Sequence, residues 1–132
     1  KSRIRGDSRR QNRRLNKLGK VLFMVHEDEK SKKKVIETMI SQKSARYNNT
    51  GVWDMLSVQE YKNFYKKLAE IFPNKFKIHC SVLYVDDKAI ATNIGIVDSS
   101  TFYYLMPAHE AGELEKYSPG RLLLEKLFLS VC

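Results

Sequence analysis

The stretch Phe76-Lys77-Ile78-His79-Cys80-Ser81-Val82-Leu83-Tyr84 decides the fold. Phe76, Ile78, Cys80, Val82 and Tyr84 alternate with Lys77, His79, Ser81 and Leu83, the period of two that gives an extended strand two distinct faces. Asp86-Asp87-Lys88 follows as a hairpin turn. A second strand is predicted over Ala89–Val97, with Ile90, Thr92, Ile94 and Ile96 on one side. Asp98-Ser99-Ser100 is the next turn, and Thr101–Met106 the third strand. Residues 76–106 therefore predict an antiparallel meander.

The period is helical on either side of it. A basic helix is expected over residues 7–18, capped by Asp7 or Ser8 and stopped by Gly19, with only Leu15 and Leu18 to dock it. Val21–Val25 reads as a short strand. After a charged loop a helix is expected from Lys32 to about Tyr47, burying Val35, Ile36, Met39 and Ile40 and broken by Asn48-Asn49-Thr50-Gly51. Ser57 and Glu60 form a capping-box pattern for another helix, with Phe64, Leu68 and Phe72 on one face and Pro73-Asn74 ending it. Beyond the meander a loop is expected over residues 107–117. A last helix follows over Pro119–Leu129, burying Leu122, Leu123 and Leu127, with Leu124 a further candidate. The order is helix, strand, two helices, meander, loop, helix: an α/β domain with a mostly antiparallel sheet.

The formal net charge of +9 belongs to one segment. Residues 1–20 hold nine basic side chains against Asp7, while the other 112 residues hold 15 basic and 14 acidic ones. A nucleic-acid-binding module built on this opening helix is one alternative function. Against it, the basic residues are not interleaved with aromatics and the rest of the chain is nearly neutral. A non-catalytic remnant that pairs through an exposed sheet edge is another. No apolar run reaches the roughly 20 residues of a membrane span. Cys80 and Cys132 make no disulfide framework, and no Cys or His pair has metal-ligand spacing, so no metal site and a reducing, cytoplasmic setting are expected. The chain opens on Lys1 rather than Met, so its natural beginning is expected upstream.

The segment that carries chemistry is Tyr117-Ser118-Pro119-Gly120-Arg121-Leu122. Ser118 stands where an N-cap is needed and Pro119 at the first helical position, where a missing N–H costs nothing. Gly120 lets a ligand approach the backbone. The N–H groups of Gly120, Arg121 and Leu122, the helix dipole and the Arg121 charge suit a phosphate or pyrophosphate. The competing reading is an ordinary capped helix, since Ser-Pro-Gly starts are common; the motif is neither a Walker loop nor a dinucleotide fingerprint.

Phe102-Tyr103-Tyr104-Leu105-Met106-Pro107-Ala108-His109-Glu110, followed by Lys116-Tyr117-Ser118-Pro119-Gly120-Arg121-Leu122-Leu123-Leu124, resembles the central strand and acyl-CoA loop of the GNAT superfamily. More narrowly it resembles the subfamily associated with cellulose and exopolysaccharide biosynthesis, related to the Fem-type aminoacyl transferases. There a Ser-Pro-Gly element replaces the usual glycine-rich loop. Arg3 to Leu18 resembles the basic helix that opens the C-terminal GNAT unit, and Gln42-Lys43-Ser44-Ala45-Arg46-Tyr47 the helix end before the acceptor side. The likeness covers nearly the whole chain, taken as a single GNAT-like domain over residues 1–132.

The resemblance implies a GNAT-like fold and acyl transfer from acetyl-CoA or another acyl-CoA to the nitrogen or oxygen of an acceptor, such as a polysaccharide or cell-envelope precursor. The strand residues Tyr103, Tyr104, Leu105 and Met106 would hold the pantetheine arm, and Ser118, Pro119, Gly120, Arg121 and Leu122 the pyrophosphate. A general base is needed for the acceptor. His109 and Glu110, just past the strand, and His79 on a neighbouring strand are the candidates, His109 first. Each has a plainer reading: loop residues for His109 and Glu110, a solvent-facing strand residue for His79. Trp53, Tyr103 and Tyr104 could stack on an acceptor, although Trp53 and one of the tyrosines read more simply as core aromatics. Lys43 and Arg46 could meet an anionic acceptor or form a solvated helix face. A GNAT unit continues past this helix into a further strand that splays from the central one. Leu127-Phe128-Leu129-Ser130-Val131-Cys132 departs from that pattern, so the fold is expected to be incomplete at its C-terminus and acyl-CoA binding weak or absent.

Overall fold

Asp28 starts the longest helix by accepting the N–H of Ser31 on its carboxylate at 2.9 Å, and Gly51 ends it in the left-handed region at φ 73°. A computed structural model describes residues 2–131, with side chains for residues 6–129. The elements are α1 (Ser2–Leu18), β1 (Val21–His26), α2 (Glu29–Thr50), a 3₁₀ turn (Met55–Ser57), α3 (Gln59–Leu68), β2 (Lys77–Val85), β3 (Lys88–Val97), β4 (Phe102–His109), a second 3₁₀ turn (Glu113–Tyr117) and α4 (Pro119–Val131). The strands form one antiparallel sheet in the order β1-β2-β3-β4.

Helices cover both faces of the sheet. On one, Val35, Ile36, Met39 and Ile40 of α2 and Leu68 of α3 pack on Ile78, Cys80, Val82, Ile94, Met106 and Ala108. On the other, Leu15 of α1 and Leu122 and Leu123 of α4 pack with Tyr117 on Leu83, Ile90 and Ala91. Leu127 is buried as well, and Leu124 is half-buried. Because both faces are covered, the second face of β2 is buried although it carries His79 and Ser81. The solvent-facing reading of His79 is thus corrected: it is 7% exposed.

Other departures have local causes. α1 begins at Ser2, so Asp7 and Ser8 lie inside it rather than capping it; the Asp7 carboxylate is occupied by Arg10 and Arg121. α2 starts at Glu29 because Asp28, not a residue near Lys32, supplies the cap, and it runs on to Thr50. Ser57 is spent in the 3₁₀ turn, where its Oγ donates to Asp54 O at 2.7 Å; α3 is preceded by Val58 with no side-chain cap. α3 ends at Leu68, so Leu68 and Ala69 are buried while Phe64 and Phe72 are exposed. β4 does not stop at Met106 but continues to His109. Trp53, Tyr103 and Tyr104 are all exposed, so none is a core aromatic. Cys80 is a buried free thiol; the reading of Cys132 falls outside the described residues.

Two close approaches fix the sheet. Asp86, in the left-handed region at φ 54°, accepts the Lys20 N–H on its carboxylate at 2.8 Å and donates its own N–H to the Lys20 carbonyl at 2.7 Å. Gly19 makes room for it, since a Cβ there would lie 2.3 Å from the Asp86 carboxylate. On the other side Gly95 sits beneath β4: a Cβ would lie 2.7 Å from Tyr103 O and 2.8 Å from the Phe102 ring.

Candidate functional site

The pairing of β3 with β4 slips by one residue. Ile94 faces Met106 and Gly95 faces Tyr104, so Leu105 is left over as a β-bulge. β4 is the last strand of the sheet, and among the described residues its outer edge has no strand partner. Tyr103, Tyr104 and Leu105 are exposed there. A free edge offers a row of backbone N–H and C=O groups, and a bulge turns some of them out of the ladder.

A cavity of about 180 Å³ lies at the far end of this edge. The last turns of α2 supply Gln42, Lys43 and Arg46, β4 supplies Tyr104, Pro107 and His109, and α4 supplies Gly120. Gln42 is 5% exposed and anchored: its Nε2 donates to Ala89 O at 3.1 Å, and its Oε1 accepts the Thr92 hydroxyl at 3.0 Å. That fixes the helix face that presents Lys43 and Arg46. Arg46 and His109 converge on one carboxylate oxygen of Glu115, at 3.7 and 3.6 Å. Burial pulls the Lys43 ammonium below its ordinary value, with Arg46 adding to the effect. His109 is lowered too, first by burial and then by Arg46, with Glu115 opposing, so its imidazole is neutral at pH 7.

The helix start differs in detail from the sequence reading. Ser118 precedes α4 in the left-handed region at φ 52°, not in the extended conformation usual for an N-cap. Its carbonyl accepts the Leu122 N–H at 3.1 Å, so that donor is committed within the helix. The N–H groups of Gly120 and Arg121 are the ones left, Pro119 having none. Gly120 is open: a Cβ there would meet only His109 Nδ1, at 3.9 Å. Arg121 turns away from the cavity and is hydrogen-bonded to Asp7 of α1. The nearby cations are therefore Lys43 and Arg46, which the sequence reading weighed as acceptor contacts.

The remaining candidates lie apart. Glu110 lines a separate cleft of about 750 Å³ between α2 and the sheet, 3.5 Å from Gln42 Nε2. His79 lies on β2 in ring contact with Phe102 at 5.0 Å, and burial lowers its pKa to about 4. Met106 is buried in the core on the α2 side. Sequence reasoning missed Glu115 and Gln42 as site residues. Gln42 carried a signal, being one helical turn before Arg46; Glu115 sat in an unpatterned loop and carried none.

A bulged, unpartnered edge strand leads to a cationic cavity at a glycine-opened helix start, and the family that matches the chain is one of acyl transfer. The chain belongs to the family described as acetyltransferase (GNAT) domain, which matches residues 2–132. No curated protein matches the chain. No helix among the described residues is long and apolar enough to cross a membrane.

Proposed function

We propose that this chain binds an acyl-CoA along the outer edge of β4 and transfers the acyl group to an amine or hydroxyl acceptor. The observation that carries the reading is the convergence of His109, Lys43, Arg46 and the open Gly120 in one cavity at the end of a bulged free edge. The pantetheine arm would pair with the backbone of Tyr103, Tyr104 and Leu105, and Met106 would support them from the core. The pyrophosphate would take the N–H groups of Gly120 and Arg121, with Ser118 and Pro119 shaping the approach and Leu122 seating the helix. Lys43 and Arg46 supply the charge.

His109 is the proposed general base. Its lowered pKa leaves it neutral and able to take the acceptor's proton at pH 7. The acceptor then attacks the thioester carbonyl, the carbon–sulfur bond breaks, and coenzyme A leaves as thiolate. His79 and Glu110 line other cavities, which favours His109 over both. The likeness to the exopolysaccharide and Fem-type subfamily supports a polysaccharide or cell-envelope acceptor. The basic helix α1 favours no nucleic-acid reading: Arg10 is engaged by Asp7, and Arg14 lies 4.9 Å over the Tyr117 ring.

The test is a calorimetric titration of coenzyme A. Weak saturable binding that disappears in Gly120→Asp, through steric block and charge repulsion, is the expected result. Binding unchanged in Gly120→Asp would remove the helix start from the site, and no binding by the parent chain would remove the donor site altogether.

A further inference from the structure

A third cavity, of about 600 Å³, lies at the opposite end of the sheet from His109. It is formed by the end of β1, the first turn of α2, the segment after α3 and the first residues of β2. Its walls are apolar: Val25, Ile71, Phe72, Pro73, Phe76 and Ile78. Ile71, Phe72 and Phe76 are at least 36% exposed, an apolar surface facing a concavity rather than a packed core.

Into this lining comes Lys32, which is 5% exposed. Its Nζ stands 5.0 Å over the Phe72 ring, and it makes no ion pair among the described residues. Glu27 and Lys77 line the same cavity at its solvent-exposed rim, so with Lys32 the lining carries two cations and one carboxylate, and Glu27 is not within ion-pair distance of Lys32. His26 and His79 complete the titratable groups there. The Lys32 stem is enclosed by this lining while its charge has only the face of the Phe72 ring against it, so a ligand anion entering the cavity would be its first direct ionic partner. The volume lies within the range of small-molecule sites, whose usual make-up is apolar walls and one orienting polar group.

We infer that this cavity is a binding site for an apolar carboxylate, with the ligand's carboxylate on Lys32 and its body against Phe72, Phe76 and Ile71. The site is separate from the edge of β4 and does not depend on the acyl-CoA reading. An aliphatic and an aromatic acid share this chemistry, so both serve as probes. Octanoate and phenylacetate are titrated calorimetrically, with octylamine and octanol as charge controls and backbone amide shifts of Val25, Lys32 and Ile78 to locate binding. At least one acid is expected to bind saturably and move those amides. Lys32→Met keeps the packed stem and removes the charge, so it should weaken that acid by about tenfold or more, with partial recovery in Lys32→Arg. Which acid binds more tightly identifies the ligand as aliphatic or aromatic. Failure of both acids to bind, unchanged affinity in Lys32→Met with its fold intact, or octylamine binding as tightly as octanoate would each overturn the assignment.

Discussion

The Arg121 guanidinium at the start of α4 is hydrogen-bonded to the Asp7 carboxylate of α1, across 114 positions of the chain. The contact ties the basic opening helix to the helix whose N-terminus borders the proposed phosphate site. The carboxyl is held below its ordinary value of 3.8, by Arg121 first and Arg10 second. A carboxylate whose folded pKa is depressed stabilises the fold fully above its unfolded pKa. That contribution is lost as the pH falls through the folded value. Asp7→Asn should therefore lower the urea midpoint at pH 7, and the difference from the parent should close below about pH 4. Equal midpoints at pH 7 would show that the pair does not hold α1 in place.

His79 has a pH dependence of the same sign from a different cause, burial of the ring rather than a charged partner. Burial brings its pKa from 6.5 to about 4, so the folded protein keeps the imidazole neutral where the unfolded chain protonates it. Stability is full above the unfolded pKa and falls as the pH drops from about 6.5 towards 4, by on the order of 3 kcal/mol in all. His79→Phe, which cannot titrate, should flatten that part of the stability–pH curve relative to its own value at neutral pH. Parallel curves for parent and variant in urea titrations at pH 7, 5.5 and 4.5 would place His79 in contact with water.

Much of this architecture was legible in the residues, for definite reasons. The alternation from Ile78 to Tyr84 and the turns at Asp86 and Asp98 specify a meander, and Val35, Ile36, Met39 and Ile40 specify a helix packed on it. Local patterning could not show that α1 and α4 cover the second face, because His79, Ser81 and Asn93 are polar and are buried all the same. The site was half legible. Gly120 and His109 stood out by type and position, and the structure brings both into one cavity. That Arg121 turns to Asp7 while Lys43 and Arg46 turn inward depends on how α1 and α2 pack, which no local motif encodes. The bulge at Leu105 was hidden for a related reason: its signal is Gly95 on the neighbouring strand.

Gly95 gives a prediction of its own. A side chain there would collide with Tyr103 O and the Phe102 ring, so Gly95→Val must push β4 away or straighten it. Overpacking of this kind costs about 1–3 kcal/mol. Gly120→Ala is the matched control. Its added methyl meets only His109 Nδ1 at 3.9 Å, and stability should stay within about 0.5 kcal/mol of the parent. The comparison is read by urea denaturation, with the amide shifts of Tyr104 and Leu105 reporting the bulge. A Gly95→Val variant as stable as Gly120→Ala, with those shifts unmoved, would show that the close approach is not needed.

The electrostatics around His109 can be tested without turnover. Burial and Arg46 lower its pKa, while Glu115 raises it. Arg46 and Glu115 stand 3.7 Å apart and are both half exposed, so that pair contributes little to stability and either residue can be replaced with the fold retained. In an NMR titration of the ring, the parent should protonate below the ordinary histidine range. Arg46→Met removes a positive neighbour and should move the midpoint up. Glu115→Gln removes the opposing negative charge and should move it further down. If acyl transfer uses His109 as base, the acidic limb of kcat/KM should follow the same order, because that profile reports the free enzyme. Ring midpoints that shift in this order while the rate profile stays fixed would leave His109 as a charged neighbour of the donor site and send the search for the base elsewhere. Midpoints that do not move at all would show that Arg46 and Glu115 do not face the ring.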